Sequence, residues 1–107
     1  MYMRKGIVYK ITDNTNDNCY YGATIQKLHQ RISGHKRDYK RYCNGGYKNK
    51  HQSQYTYSAI NIFKNDNYSY DVVEEIETDE NKKELLEREL FYIRTFPCVN
   101  IIGKNPI

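Results

Sequence analysis

Tryptophan is absent from this 107-residue chain, proline occurs twice and phenylalanine three times. The rings of a core must therefore come largely from the 12 tyrosines, whose hydroxyls need water or a partner once buried. A wet, polar cleft meets that need. Cysteine is scarce and odd in number, at Cys19, Cys43 and Cys98. None forms a CxxC pair or stands at zinc-ligand spacing from His29, His35 or His51, which argues against a zinc site and against a disulfide framework. Reduced thiols in an intracellular, cytoplasmic compartment are the expectation. No apolar run approaches the roughly 18 residues of a membrane span, and the N-terminus has no hydrophobic signal segment. The length allows one modest core, so residues 1–107 read as a single soluble domain.

Positive charge is present in slight excess, 17 basic against 13 acidic residues, and it is concentrated. Lys27, Arg31, Lys36, Arg37, Lys40, Arg41, Lys48 and Lys50 fall between residues 27 and 50, where Asp38 is the one acid, whereas acids crowd residues 71 to 89. The basic stretch is interleaved with Tyr39, Tyr42 and Tyr47. A phosphate backbone favours such a pattern; a solvated helix face accounts for it equally well.

The run "GIVYKIT" alternates, with Ile7, Tyr9 and Ile11 on one face, and residues 18 to 23 make a second short strand. Between them "DNTNDN" is dense in turn formers, which predicts a hairpin. Thr24 is placed to cap a helix from about residue 25 to 42, ended by "NGG" at 44 to 46, with Leu28, Ile32 and Tyr39 on its buried stripe. After a polar loop, Ser53 precedes a second helix carrying Tyr57, Ile60 and Phe63. "YSYDVVEEI", 68 to 76, reads as a third strand. From Thr78 or Asp79 as cap, "ENKKELLERELFYIRTF" reads as the last helix, halted by Pro97. The predicted class is α+β: a three-stranded antiparallel sheet flanked by three helices, in the order β-β-α-α-β-α.

The last helix contains an acid where an apolar residue belongs. On a wheel started at Leu85, Ile93 falls at about 80°, Leu86 at about 100°, Phe96 at about 20° and Glu89 at about 40°, inside the apolar stripe. Glu84, Glu87 and Arg88 lie on the opposite side. Three readings of Glu89 follow: it snorkels at the edge of the stripe, it pairs with a buried Arg or Lys, or it holds a divalent metal. No second acid shares the stripe, so the third reading means one metal with mostly water ligands. On the first helix, Arg31 and His35 are i, i+4 neighbours along one border of the stripe, facing either a groove or bulk solvent.

Together, Tyr9, ten intervening residues, Tyr20-Tyr21-Gly22, Arg31, His35 and "LLERELFYI" resemble the GIY-YIG nuclease family over nearly the whole chain. "YSAINIF" is similar to that family's second-helix signature. One departure is that Gly6 stands three residues before Tyr9 rather than two, with Ile7 in the usual glycine position. The resemblance implies catalytic roles for Tyr9, Tyr20, Arg31, His35, Glu89 and Asn100, with Glu89 binding one magnesium or manganese ion. His51 matches a loop histidine of some members. Lys27, Lys36, Arg37, Lys40, Arg41 and His51 become the candidate DNA contacts. The implied activity is hydrolysis of a DNA phosphodiester to a 5′-phosphate and a 3′-hydroxyl. Tyr9 takes a proton from water, directly or through His35, while Tyr20 orients the phosphate or that water. Lowering a phenol from about 10 to about 7 requires roughly 4 kcal/mol.

Two other functions compete with cleavage. A non-catalytic nucleic-acid binding module explains the basic helix, but an acid beside a phosphate is repulsive unless a metal intervenes. A peptide-binding domain explains neither Glu89 nor Arg31 and His35. Target choice is expected to come from the loop at 43 to 54, from a homodimer or from a separate specificity subunit, or else to be weak.

Overall fold

The computed structural model describes residues 3–43 and 62–100. Arg4–Asp13 form strand β1 and Cys19–Thr24 form strand β2, paired antiparallel with Tyr9 opposite Gly22 and Ile11 opposite Tyr20. The expected hairpin is present. Asp13 N–H donates to Asn18 O and Asp17 N–H to Asp13 O, both at 2.8 Å, and Asp17 takes the left-handed conformation that the turn requires, at φ 64. The carboxylate of fully buried Asp13 accepts from the Thr15 hydroxyl, the Thr15 amide and Asn65. These bonds, that from the Thr15 hydroxyl foremost, hold the Asp13 carboxyl below its ordinary range.

Tyr68–Thr78 form β3, antiparallel to β1 on its other side, so the sheet order is β2-β1-β3. β3 runs two residues beyond the predicted end at 76. It also carries one extra residue, Val73, between the Val8–Glu74 and Tyr9–Val72 pairs. That bulge lies beside the shifted glycine of "GIVY", and β1 itself continues through it unbroken.

Helix α1 spans Leu28–Cys43 and helix α2 spans Lys83–Thr95. Both begin later than predicted, for one physical reason. The Thr24 hydroxyl accepts from Gln26 N–H at 3.0 Å and so closes a turn instead of capping a helix, and the first helical bonds go to Lys27 O. Asp79 Oδ1 likewise accepts from Asn81 N–H at 3.0 Å, and left-handed Lys82 leads into α2. Short polar side chains satisfied the nearest amide in a turn before helix could propagate. The second predicted helix lies outside the described residues except for its end, Ile62 and Phe63, which are helical. The described architecture is therefore α+β with a three-stranded antiparallel sheet and two helices, and the three-helix expectation is confirmed for two.

Neighbouring strand residues point to opposite faces of a sheet. Tyr9, Ile11 and Tyr20 pack with Ile32, Ile62 and Phe63 and with Leu28 and Tyr39 of α1, whereas Cys19 and Tyr21 pack with Ile93, Tyr92 and Cys98. The two helices thus cover opposite faces, and each of the adjacent tyrosines of β2 serves one layer. Gly6 sets how closely α2 approaches: a Cβ there would lie 2.8 Å from Leu85 Cδ2. The bare backbone lets Leu85, 1% exposed, seat directly on β1. Glu89, one turn further along the same side of α2, is placed by that contact. Among the described residues no helix is long and apolar enough to cross a membrane.

Candidate active site

Tyr9 enters the site from the middle of β1 through a gap left by Gly22. A Cβ on Gly22 would collide with Cζ and the hydroxyl of Tyr9 and lie 2.9 Å from its Cε2. The phenol ring therefore lies across the bare backbone of β2 and points toward that edge of the sheet. There it meets Tyr20 of β2, Arg31 of α1 and Glu89 of α2, which together with Ala23 and Leu86 line a cleft of about 320 Å³. Elements from both faces of the sheet thus converge at one edge.

The Tyr9 hydroxyl lies 2.7 Å from His35 Nε2. Both side chains are almost fully buried, at 1% and 2% exposure. The His35 ring is enclosed by rings, with centroids of Tyr20 at 5.6 Å, Tyr9 at 5.9 Å and Phe63 at 6.1 Å. Its Nδ1 is, among the described residues, the buried side-chain polar atom with no hydrogen-bond partner. Burial, reinforced by the charge of Arg31, pushes the imidazole down to about 3, so His35 is neutral at physiological pH. Burial also pushes the Tyr9 hydroxyl up to about 12, against the pull of the Arg31 guanidinium.

Glu89 is half-buried, and desolvation raises its carboxyl to about 7 in spite of Arg31. It makes no hydrogen bond or ion pair with a partner among the described residues. Of the three readings of this acid, an exposed snorkelling position does not match, and for the pairing reading Arg31 lines the same cleft without forming an ion pair with Glu89. The opposite side of α2 also differs from the wheel. Arg88, expected among solvated charges, donates from Nε and from a terminal nitrogen to Glu74 at 3.1 and 3.0 Å, and the Tyr92 hydroxyl donates to the same oxygen at 2.9 Å. Leu86, expected in the packed stripe, is 50% exposed because it forms a wall of the cleft.

The remaining candidates are placed elsewhere. The Asn100 side chain is not in the cleft: its amide accepts from Tyr21 N–H at 2.9 Å and donates to Tyr21 O at 2.7 Å. With Val99 N–H donating to Cys19 O at 2.8 Å, it clasps the outer edge of β2 and so holds Tyr20 indirectly. Tyr21 stacks on Tyr92 with centroids 5.6 Å apart. Lys36, Arg37, Lys40 and Arg41 are exposed along α1, and Lys27 is exposed just before it. His51 lies outside the described residues. Two contributors went unnoticed in the sequence, Leu86 and Ala23. Leu86 sits three residues before Glu89, a spacing that puts both on one side of a helix.

A family model for the GIY-YIG catalytic domain matches residues 5–98, most of the chain. The chain belongs to the GIY-YIG family. Comparison with curated proteins and with solved structures returns no match. GIY-YIG nucleases are endonucleases that act on DNA and are generally dependent on a divalent metal. Among the described residues no group of three His, Cys, Asp or Glu side chains comes together. Among the described residues the carboxylate donor at this GIY-YIG cleft is Glu89, desolvated and without a hydrogen bond or ion pair. Such a donor fits a single oxygen-seeking cation whose other positions are filled by water and phosphate oxygens, and Glu89 is the residue that would hold it.

Proposed function

We propose that this chain is a metal-dependent endonuclease domain that hydrolyses DNA phosphodiesters to a 5′-phosphate and a 3′-hydroxyl. The observation that carries the reading is the convergence of Tyr9, Tyr20, Arg31 and Glu89 on one cleft, with His35 bonded to Tyr9 behind it. Repulsion between Glu89 and a phosphate weighs against a module that only binds.

Both routes for the water's proton are costly. At pH 8, creating the Tyr9 phenolate costs about 5 kcal/mol, whereas creating a His35 imidazolium costs about 7 kcal/mol. Geometry favours the direct route, because Tyr9 lines the cleft and His35 does not: Tyr9 Oη accepts the proton, and its own is lost to solvent. His35 then serves as a neutral donor through Nε2–H to the phenolate, with Nδ1, which has no partner among the described residues, left as the acceptor. Arg31 stabilises the phenolate and the negative charge that builds on the phosphate, and Tyr20 orients the phosphate. Glu89 would hold a divalent magnesium or manganese ion, which when bound would supply Lewis-acid stabilisation of a departing oxygen and a positive field favouring the phenolate.

Nicking of supercoiled plasmid, followed on agarose with magnesium or manganese, tests this reading. Wild type converts plasmid to the relaxed form, EDTA stops it, and Glu89→Ala is inactive. Undiminished nicking in EDTA, or by Glu89→Ala, contradicts it.

A further inference from the structure

Beyond His35, the same helix α1 borders a second cavity. It measures about 290 Å³ and is lined by Lys36, Tyr39, Lys40 and Cys43 of α1 and by Phe63, Asp66 and Tyr68. Its walls are aromatic: the Phe63 and Tyr68 rings meet edge to face at 4.6 Å, and Tyr39 lies 6.2 Å from Phe63. Its rim is charged. Lys36 Nζ sits 5.7 Å from the centre of the Tyr68 ring, and Lys40 and Asp66 complete the border.

We propose that this cavity receives one unpaired nucleobase of the DNA substrate, stacked against Tyr68. The inference rests on the DNA-cleaving reading above and names what distinguishes the preferred substrate. Three observations support this occupant. The volume, about 290 Å³, falls just under the ~300–1,000 Å³ range of small-molecule sites, so it admits a single base and excludes a duplex. Tyr68 stacks on Tyr70 with centroids 6.5 Å apart and carries Lys36 Nζ over its ring, so a base takes the lysine's place against Tyr68 while Lys36 and Lys40 turn to the phosphates on either side of it. Continuity is the third: Phe63 forms a wall of this cavity and also packs 6.1 Å from the His35 ring. The cavity thus borders the ring cluster that holds His35 behind the cleft, and both open beside helix α1, which supplies Arg31 to one and Lys36 and Lys40 to the other. Asp66 repels phosphate but accepts from the amino or imino groups of a base, which turns the base inward and the backbone toward Lys36 and Lys40.

The test is a ratio of affinities, measured by fluorescence anisotropy in EDTA on three labelled duplexes. One is fully matched, one carries a single bulged nucleotide, and one carries an abasic residue at the bulge. Wild type is expected to bind the bulged duplex at least tenfold more tightly than either of the others. Tyr68→Ala loses that preference and Tyr68→Phe retains it, both scored as ratios so that a general loss of affinity cancels. Equal affinity for bulged and matched DNA overturns the inference. So does a preference that survives at the abasic bulge, which would report flexible DNA rather than a seated base, or one that survives in Tyr68→Ala. Plasmid nicking by the same wild-type preparation separates this result from the nuclease reading: nicking without a bulge preference defeats the inference alone. A base-dependent preference without nicking defeats the nuclease reading alone.

Discussion

Replacing Glu89 with glutamine should make the protein more stable and less active. Raising a carboxyl from 4.5 to about 7 means that ionising it in the fold costs ~3 kcal/mol more than in the unfolded chain. The sign follows from proton binding. Between 4.5 and about 7 the native state holds the proton and the unfolded state has lost it, so stability falls as pH rises through that window. Below 4.5 both states are protonated and the cost is absent; above about 7 it is present in full. Glu89→Gln keeps the shape and removes the charge. Urea unfolding in EDTA should therefore show the variant about 3 kcal/mol more stable than wild type at pH 8.5, and near parity at pH 4.5. In thermal melts the gain at pH 8.5 should be on the order of 10 °C. Millimolar magnesium should narrow the gap by stabilising wild type alone. Equal stability at pH 8.5, or a gain that does not change with pH, refutes the claim that a desolvated, unpartnered carboxylate sits in the cleft.

Four further outcomes are expected. Gly22→Ala forces the Tyr9 ring off the β2 backbone, so plasmid nicking should drop at least a hundredfold while far-UV circular dichroism stays native; activity within threefold of wild type contradicts that placement. His35 should remain neutral, its ring proton shifts flat by NMR from pH 8 to pH 5, because burial holds the imidazole near 3; a midpoint inside that range contradicts it. Since a proton on Glu89 competes with the cation, the apparent magnesium affinity for nicking should fall about tenfold per pH unit below about 7 and level off at alkaline pH. Asn100→Ala removes both bonds to the Tyr21 backbone, which should cost about 1–3 kcal/mol in urea unfolding, and a loss below 0.5 kcal/mol would argue against the clasp.

The parts of this molecule legible in the sequence are those where local chemistry and packing agree. Alternation around Tyr9 and the turn formers after Asp13 specify the hairpin without help from distant residues. Glu89 was conspicuous because one charge interrupts a periodic apolar stripe, and α2 carries it into the cleft. Helix starts were misjudged at Thr24 and Asp79, since a side chain able to cap a helix can equally cap a turn. The wheel also mistook Leu86 for core and Arg88 for a solvated charge. It describes one helix and contains neither the cleft across which Leu86 faces nor the Glu74 carboxylate on β3 that Arg88 meets. Tertiary closeness of that kind, like the passage of Tyr9 over Gly22, exists only once strands are paired. The rise in the cost of the Tyr9 phenolate, from roughly 4 kcal/mol for a free phenol at pH 7 to about 7 kcal/mol at the same pH in the fold, is likewise a consequence of burial.

The most direct measurement pairs cleavage with binding in a single variant that folds. Glu89→Gln and wild type are incubated with an end-labelled duplex and magnesium under single-turnover conditions, and bound and cut DNA are quantified from the same samples. The account predicts that Glu89→Gln binds the duplex at least as tightly as wild type and does not cut it. Cutting at a rate within tenfold of wild type would contradict it.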